Sequence, residues 1–268
     1  MVASYGDLIQ AQRTYRRIVL AQHGAGQSYG GDPRSEYYPS YPGGRDNGAV
    51  GLFLCPNQYS ADRWRKAYPS ARVEVTGSPV LETIPHRVLM PVEREPVIAV
   101  SFHWNGTFVP EANSAADHYF AALKDLARAY PVIGHGHPLH GGLRHRFQRI
   151  GIPWVEDFEQ VCRDADVYVC DNSSTIYEFA STGRPVVLLN APQYRLEVNH
   201  GGRFWDWSSI GYNVRQPEYL VEAVTLALED GPLIRGRRQE TLSRVYTPGN
   251  AQTAADAIMD WVREARAA

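Results

Sequence analysis

Histidine, serine and carboxylate residues recur in this sequence just after short apolar runs, at spacings that suit phosphate chemistry. The fullest instance is Asp171-Asn172-Ser173-Ser174-Thr175-Ile176-Tyr177-Glu178, which follows the run 167–170. A helix starting here would offer the unpaired N–H groups of its first turn, and the positive end of its dipole, to an anion. Ser173, Ser174 and Thr175 would add hydroxyls, and Glu178, one turn on, could accept hydrogen bonds from ribose hydroxyls. The same letters also read as a helix start with no ligand: Thr175-x-x-Glu178 is a capping box, and Asp171 and Asn172 are turn formers. His23-Gly24 follows the run 17–21, and a histidine so placed can take a proton from an attacking hydroxyl. His137-Pro138 follows 131–134, and its imidazolium would neutralise a diphosphate leaving group. His135 and His140 flank it, but H-x-H-x-x-H fits no common zinc spacing and has no carboxylate close by, so no metal site is expected.

Three further segments join this set. His103 with Trp104-Asn105-Gly106-Thr107 closes the run 97–102, where Gly106 and Thr107 can present donors to phosphate. Thr76-Gly77-Ser78-Pro79 reads as a tight turn, either a hinge or a donor contact through Ser78. Arg203 lies in the aromatic cluster Arg203-Phe204-Trp205-Asp206-Trp207 after Gly201-Gly202, a wall of the site or a core plug.

The elements that must position these residues alternate along the chain. Strand character covers 17–21, 50–55, 72–75, 97–102, 131–134, 167–170 and 185–189. Helix character covers 60–68, 112–130, 175–181, 217–228 and 250–266. Such alternation predicts an α/β fold with mostly parallel sheets and helices on both faces. Ligands of such folds sit beyond the carboxyl ends of the strands, where the polar residues above fall. Periodicity breaks at 89–95, and a long polar Gly- and Tyr-rich loop occupies 26–48, a length that points to function or disorder.

Bulk properties exclude several classes. Of the 268 residues 44% are hydrophobic and 21% charged, an ordinary globular balance. No run of about 18 apolar residues offers a membrane span. The first residues lack the layout of a signal peptide, which predicts a cytoplasmic protein. Cys55, Cys162 and Cys170 fit neither a disulfide framework nor a zinc site, and two of them, in apolar surroundings, read as inert buried thiols. The net charge of −2 supplies no overall field toward nucleic acid or anionic lipid. All basic residues except Lys66 and Lys124 are arginine, a bias that follows from genome composition or suits oxyanion binding.

Taken in order, these segments resemble the CDP-glycerol glycerophosphotransferase family, the polymerases and primases of teichoic acid synthesis. The family's strand-then-His-Gly is matched by His23-Gly24, its Gly-x-Pro by Gly77-Ser78-Pro79, and its strand ending in His-Pro by His137-Pro138. Its D-x-S-S-x-x-x-D/E is matched by Asp171 through Glu178. The later G/R-P-V strand and aromatic segment correspond to Gly183-Arg184-Pro185-Val186 and Gly202-Arg203-Phe204-Trp205. Tyr246-Thr247-Pro248-Gly249-Asn250-Ala251 is similar to the family's close before a last helix. The resemblance runs from about residue 18 to the C-terminus. It departs where Asn172 stands for the family's Tyr, where 101–105 stands for P-T-W-R, and in a first lobe that is shorter and lacks polybasic membrane-docking helices.

The resemblance implies a GT-B-type fold, two Rossmann-like lobes with a metal-independent site in the cleft between them. Lobe 1–92 would be a reduced acceptor side. Lobe 93–268 would bind the nucleotide donor, its last helix able to pack back on the first lobe. His23 and His137 would be the catalytic pair, as general base and diphosphate-side cation. The donor would meet Gly24, Ser78, His103, Asp171, Ser173, Ser174, Thr175, Glu178 and Arg203. The expected reaction moves a glycerophosphate or glycosyl group from a nucleotide-diphosphate donor to a hydroxyl of a polymer, glycan or modified nucleic acid, with no cofactor beyond the donor. Three alternatives stand beside it. A nucleotide-sugar 2-epimerase would want several carboxylates, for which Glu178, Asp157 and Asp206 are the candidates. A phage-type glycosyltransferase acting on modified DNA bases would need a basic groove, for which Arg13, Arg16, Arg17, Arg34 and Arg45 are candidates. The third is a non-catalytic nucleotide-binding module.

Overall fold

The computed structural model describes residues 1–3, 5–22, 24, 48–85, 94–105, 113–194 and 208–267. Its elements, in chain order, are α1 (Tyr5–Ala11), β1 (Ile18–Ala21), β2 (Val50–Cys55), α2 (Gln58–Ala67), β3 (Arg72–Val75), β4 (Ile98–Phe102), α3 (Ala116–Tyr119) and α4 (Leu123–Ala129). These are followed by β5 (Val132–Gly136), α5 (Leu143–Arg149), α6 (Phe158–Asp164), β6 (Val167–Cys170), α7 (Thr175–Ala180), β7 (Val186–Leu189), β8 (Tyr212–Val214), α8 (Leu220–Glu229), α9 (Pro232–Val245) and α10 (Ala251–Ala267). The chain forms two compact units, the first running to Glu82 and the second starting at Thr83; the expected 92/93 boundary lies outside the described residues. The segment Ser243–Ala268 returns to the first unit.

The first unit is built on a parallel sheet of order β1-β2-β3. Strand alternation sends Ile18, Leu20, Phe53 and Cys55 to one face, with Leu8 of α1 and Ala61 and Trp64 of α2. It sends Val19, Leu52 and Leu54 to the other, where Ala254, Ala257, Ile258 and Trp261 of α10 cover them. Asn57 starts α2 by accepting the Ser60 N–H at 2.8 Å, and Trp64 stacks on Phe53 with ring centroids 4.3 Å apart. Asn250 caps α10 in the same way, through the Thr253 N–H at 2.9 Å. The Thr76-Gly77-Ser78-Pro79 turn crosses the segment leading into α10 backbone to backbone. Gly77 has φ 71°, and a Cβ there would lie 2.7 Å from the Thr247 carbonyl. Only glycine meets both conditions without strain.

The second unit holds a parallel sheet of order β5-β4-β6-β7-β8. A parallel bridge between Gly134 and Trp154 adds the remnant of one more strand beside β5, held by Gly134 N–H to Pro153 O and Val155 N–H to Gly134 O, both 2.8 Å. In the order in which the chain makes them, the six run 3-2-1-4-5-6, the doubly wound Rossmann arrangement. β4, β6 and β7 are buried at every residue, as a parallel sheet covered on both faces requires. α5 packs on β5, α7 on β6 and β7, and α8 on β6, β7 and β8. The buried Arg184 guanidinium donates to the carbonyls of Cys162 and Ala165, which end α6. The buried Arg238 of α9 forks onto Asp230 at 2.9 and 3.0 Å and donates to the Gly183 carbonyl at 2.9 Å, tying down the end of α7.

The expected helix 112–130 is two short helices, α3 and α4. Tyr119 ends the first by aiming its hydroxyl at the carbonyls of Asn190 and Val214, 2.7 and 2.6 Å away, while α4 packs on α8. Cys55, Cys162 and Cys170 are free and buried, and burial pushes the Cys162 thiol up to about 12. No described helix is long and apolar enough to cross a membrane.

Candidate functional site

Because all strands of the second unit are parallel, their carboxyl ends share one edge of the sheet. The strand order reverses between β4 and β6, and the crevice at such a switch point is where open α/β sheets bind ligands. His103 leaves β4 there, Asp171 leaves β6, and His137 leaves β5 next door.

Asp171 is fully buried. One of its carboxylate oxygens accepts the His103 N–H at 2.7 Å, and the other accepts the Ala115 N–H at 2.8 Å just ahead of α3. The Tyr194 phenol lies beside it, pushed far up by burial and by the carboxylate's charge. Asp171, expected among the donor contacts, is therefore enclosed. It binds two backbone amides across the switch point and organises the site from beneath.

The imidazoles of His103 and His137 lie with ring centroids 5.4 Å apart. Trp104 is 5.9 Å from the first and 5.8 Å from the second. His103 Nδ1 is 3.0 Å from the Trp104 carbonyl, and His137 Nδ1 accepts the Leu139 N–H at 3.1 Å. His135, two residues before His137, belongs to the core instead. Its Nδ1 bonds the Val155 carbonyl at 3.0 Å, it stacks near Trp154, and burial holds it below the usual histidine range. Among the described residues no three His, Cys, Asp or Glu side chains converge to hold a metal ion.

On the β6 side, α7 begins after Ser174, and the Thr175/Glu178 capping box does not form. Ser173 Oγ instead accepts from Thr175 N–H at 3.3 Å and from the Thr175 hydroxyl at 2.8 Å, and Tyr168 OH lies 2.9 Å from Thr175 Oγ1. Thr175, expected to meet the donor, thus has its hydroxyl committed within the helix start. The Ser174 side chain takes no part in the cap. Glu178 is half-buried, with no cation or N–H donor to its carboxylate among the described residues. Burial alone pushes it up to about 7.

Gly24 and Ser78 belong to the three-stranded unit. Gly24 has φ 73°, and Gln22 before it is pinned by Ser60 at 3.2 Å and Trp64 at 3.3 Å. His23 and Arg203, with Gly106, Thr107, most of the 26–48 loop and the 201–207 cluster, lie outside the described residues. Sequence reasoning missed Asn190 at the end of β7, whose buried Oδ1 has no hydrogen-bond partner among the described residues. A polar residue closing the apolar run 186–189 was the available signal.

No family model matches the chain, and no curated protein matches it in sequence. Solved structures do match in shape. The wall teichoic acid polymerase TagF aligns with a TM-score of 0.54 and 14% identity, over 92% of this chain and 67% of the TagF chain. The fold is of the GT-B type. A UDP complex of MnaA from S. aureus aligns with a TM-score of 0.55 and 15% identity, over 97% of this chain and 76% of MnaA. A Listeria monocytogenes protein assigned as a UDP-N-acetylglucosamine 2-epimerase gives 0.54 and 14%, over 95% and 75% of the two chains. Within this GT-B fold the five-stranded unit is the one that carries the His103, His137 and 171–178 edge.

Proposed function

We propose that the chain is a metal-independent transferase that takes a glycerophosphate or glycosyl group from a nucleotide-diphosphate donor. The observation that supports this reading is the pairing of His103, after β4, with His137, after β5, ring centroids 5.4 Å apart at the switch point, with Ser173, Ser174 and Glu178 following β6, the next strand of the sheet. The imidazoles meet the diphosphate, the Ser173 and Ser174 hydroxyls its oxygens, and Glu178 the ribose. His23, by the family resemblance, takes the proton from the acceptor hydroxyl, and Arg203 adds charge at the donor. Catalysis then rests on placement and on cancelling charge at the leaving phosphates. The TagF and MnaA likenesses support a nucleotide-activated substrate.

The test is transfer of label from CDP-glycerol or UDP-sugars to teichoic oligomers, glycans or hydroxymethylated DNA. Glycerophosphate transfer releases CMP, whereas glycosyl transfer releases the nucleoside diphosphate, so the product names the bond made. The epimerase likenesses favour one second reading, inversion at C2 of a UDP-sugar without transfer. Nucleotide binding with neither outcome would leave a binding module.

A further inference from the structure

The two imidazoles at the switch point are not equivalent, and their backbone partners show how. A carbonyl can only accept, so His103 Nδ1, 3.0 Å from the Trp104 carbonyl, carries a hydrogen. A backbone N–H can only donate, so His137 Nδ1, which takes the Leu139 N–H at 3.1 Å, carries none. The rings therefore differ at Nε2. In His137 this nitrogen bears the ring's hydrogen. In His103 it is the site of a second proton.

Protonating His103 at Nε2 keeps its bond to Trp104. Making His137 an imidazolium would set a hydrogen on Nδ1 against the Leu139 N–H, two donors head to head, and break that bond. Among the described residues, Asp171 and Tyr194 favour the same division. Asp171, from the end of β6, holds the His103 N–H at 2.7 Å and brings a negative charge to that residue, with the neutral Tyr194 phenol beside it. His137, from β5, faces His103 as the neutral neighbour, so the two rings do not compete for charge.

We propose that His103, not His137, is the cation that meets the charge of a bound diphosphate, and that His137 meets it as a neutral Nε2–H donor. This rests on the donor-site reading above and reassigns the charge that the family resemblance gives to His137.

Two measurements on the full chain test it. The first is long-range proton–nitrogen NMR of the imidazoles, assigned with His103→Gln and His137→Gln. His137 should remain the Nε2–H tautomer on acidification while His103 gains a second proton; the reverse overturns the proposal. The second is the affinity for CDP and UDP from about pH 5.5 to 8.5. Wild-type affinity should fall with rising pH by up to about tenfold per unit. His103→Gln should flatten that slope, and His137→Gln should weaken binding at every pH but keep it. A slope kept in His103→Gln and lost in His137→Gln overturns the proposal while leaving the donor reading intact. No nucleotide binding at any pH sinks the donor reading and the anion role of His103 with it, whatever the tautomers.

Discussion

The Asp171 carboxylate holds the backbone N–H of His103 at 2.7 Å, joining the carboxyl ends of β6 and β4 where the strand order reverses. Its second oxygen holds Ala115, so one buried side chain fixes the exit of β4 and the approach to α3.

Asp171→Asn is expected to destabilise the protein by about 1–3 kcal/mol, because the amide NH2 would face one of the two N–H donors and leave it unsatisfied. Nucleotide affinity should drop as well, since His103 loses its anchor. Chemical denaturation and calorimetry on the same variant check both. Wild-type stability in Asp171→Asn would mean the carboxylate is not the clamp.

Glu178 sets a pH dependence. In the unfolded chain its carboxyl ionises near about 4.3, but in the folded protein near about 7. Its share of stability is complete below the unfolded value and is lost as pH rises through 7. Glu178→Gln should therefore gain on the order of 1–3 kcal/mol over wild type at about pH 8, and nothing near pH 4, the range allowing for its partial exposure. A ribose diol donating to the carboxylate would favour its ionised form, so Glu178 offsets part of the proton uptake at His103, and net uptake on nucleotide binding near neutrality should be larger in Glu178→Gln than in wild type. Calorimetry in buffers of different ionisation enthalpy measures that difference.

Arg238 holds the far end of α7. Asp230 loses ionisation through burial, but the hydrogen bonds and charge of Arg238, then Arg235, outweigh this and hold its carboxyl below the usual range. Removing the guanidinium leaves Asp230 paired with Arg235 but without its buried partner, and takes the donor from the Gly183 carbonyl. Arg238→Met is expected to cost about 1–3 kcal/mol in chemical denaturation. A cost under 1 kcal/mol would show that α9 does not anchor α7.

Gly77→Ala is expected to cost about 2–4 kcal/mol, from a left-handed backbone and a Cβ pressed on the Thr247 carbonyl. Ser78→Ala, in the same turn, tests the donor contact separately. It should leave thermal stability unchanged and lower nucleotide affinity only if Ser78 meets the donor.

Much of this architecture was legible in the sequence because buried parallel strands are continuous apolar runs with polar residues at their ends, as in Ile98–Phe102 and Val167–Cys170. β8 was not, because Tyr212–Val214 is three residues long. α5 and α9 were hidden by charge: Leu143–Arg149 carries three arginines, and the apolar residues of Pro232–Val245 are spread around the helix. In the site, the residues at strand ends could be named but their partners could not. Asp171 reads as a donor contact until its bonds to amides 68 and 56 positions away are seen. The tautomers of His103 and His137 depend on backbone atoms of Trp104 and Leu139, whose side chains carry no such information.

The central claim is that the edge formed by β4, β5 and α7 binds a nucleotide diphosphate, and calorimetric titration with CDP, UDP, GDP and ADP tests it most directly. One of them is expected to bind, and Ser174→Ala and Glu178→Ala should each weaken it by about tenfold or more while the protein stays folded. Failure of all four to bind, or binding that both variants leave untouched, would contradict it.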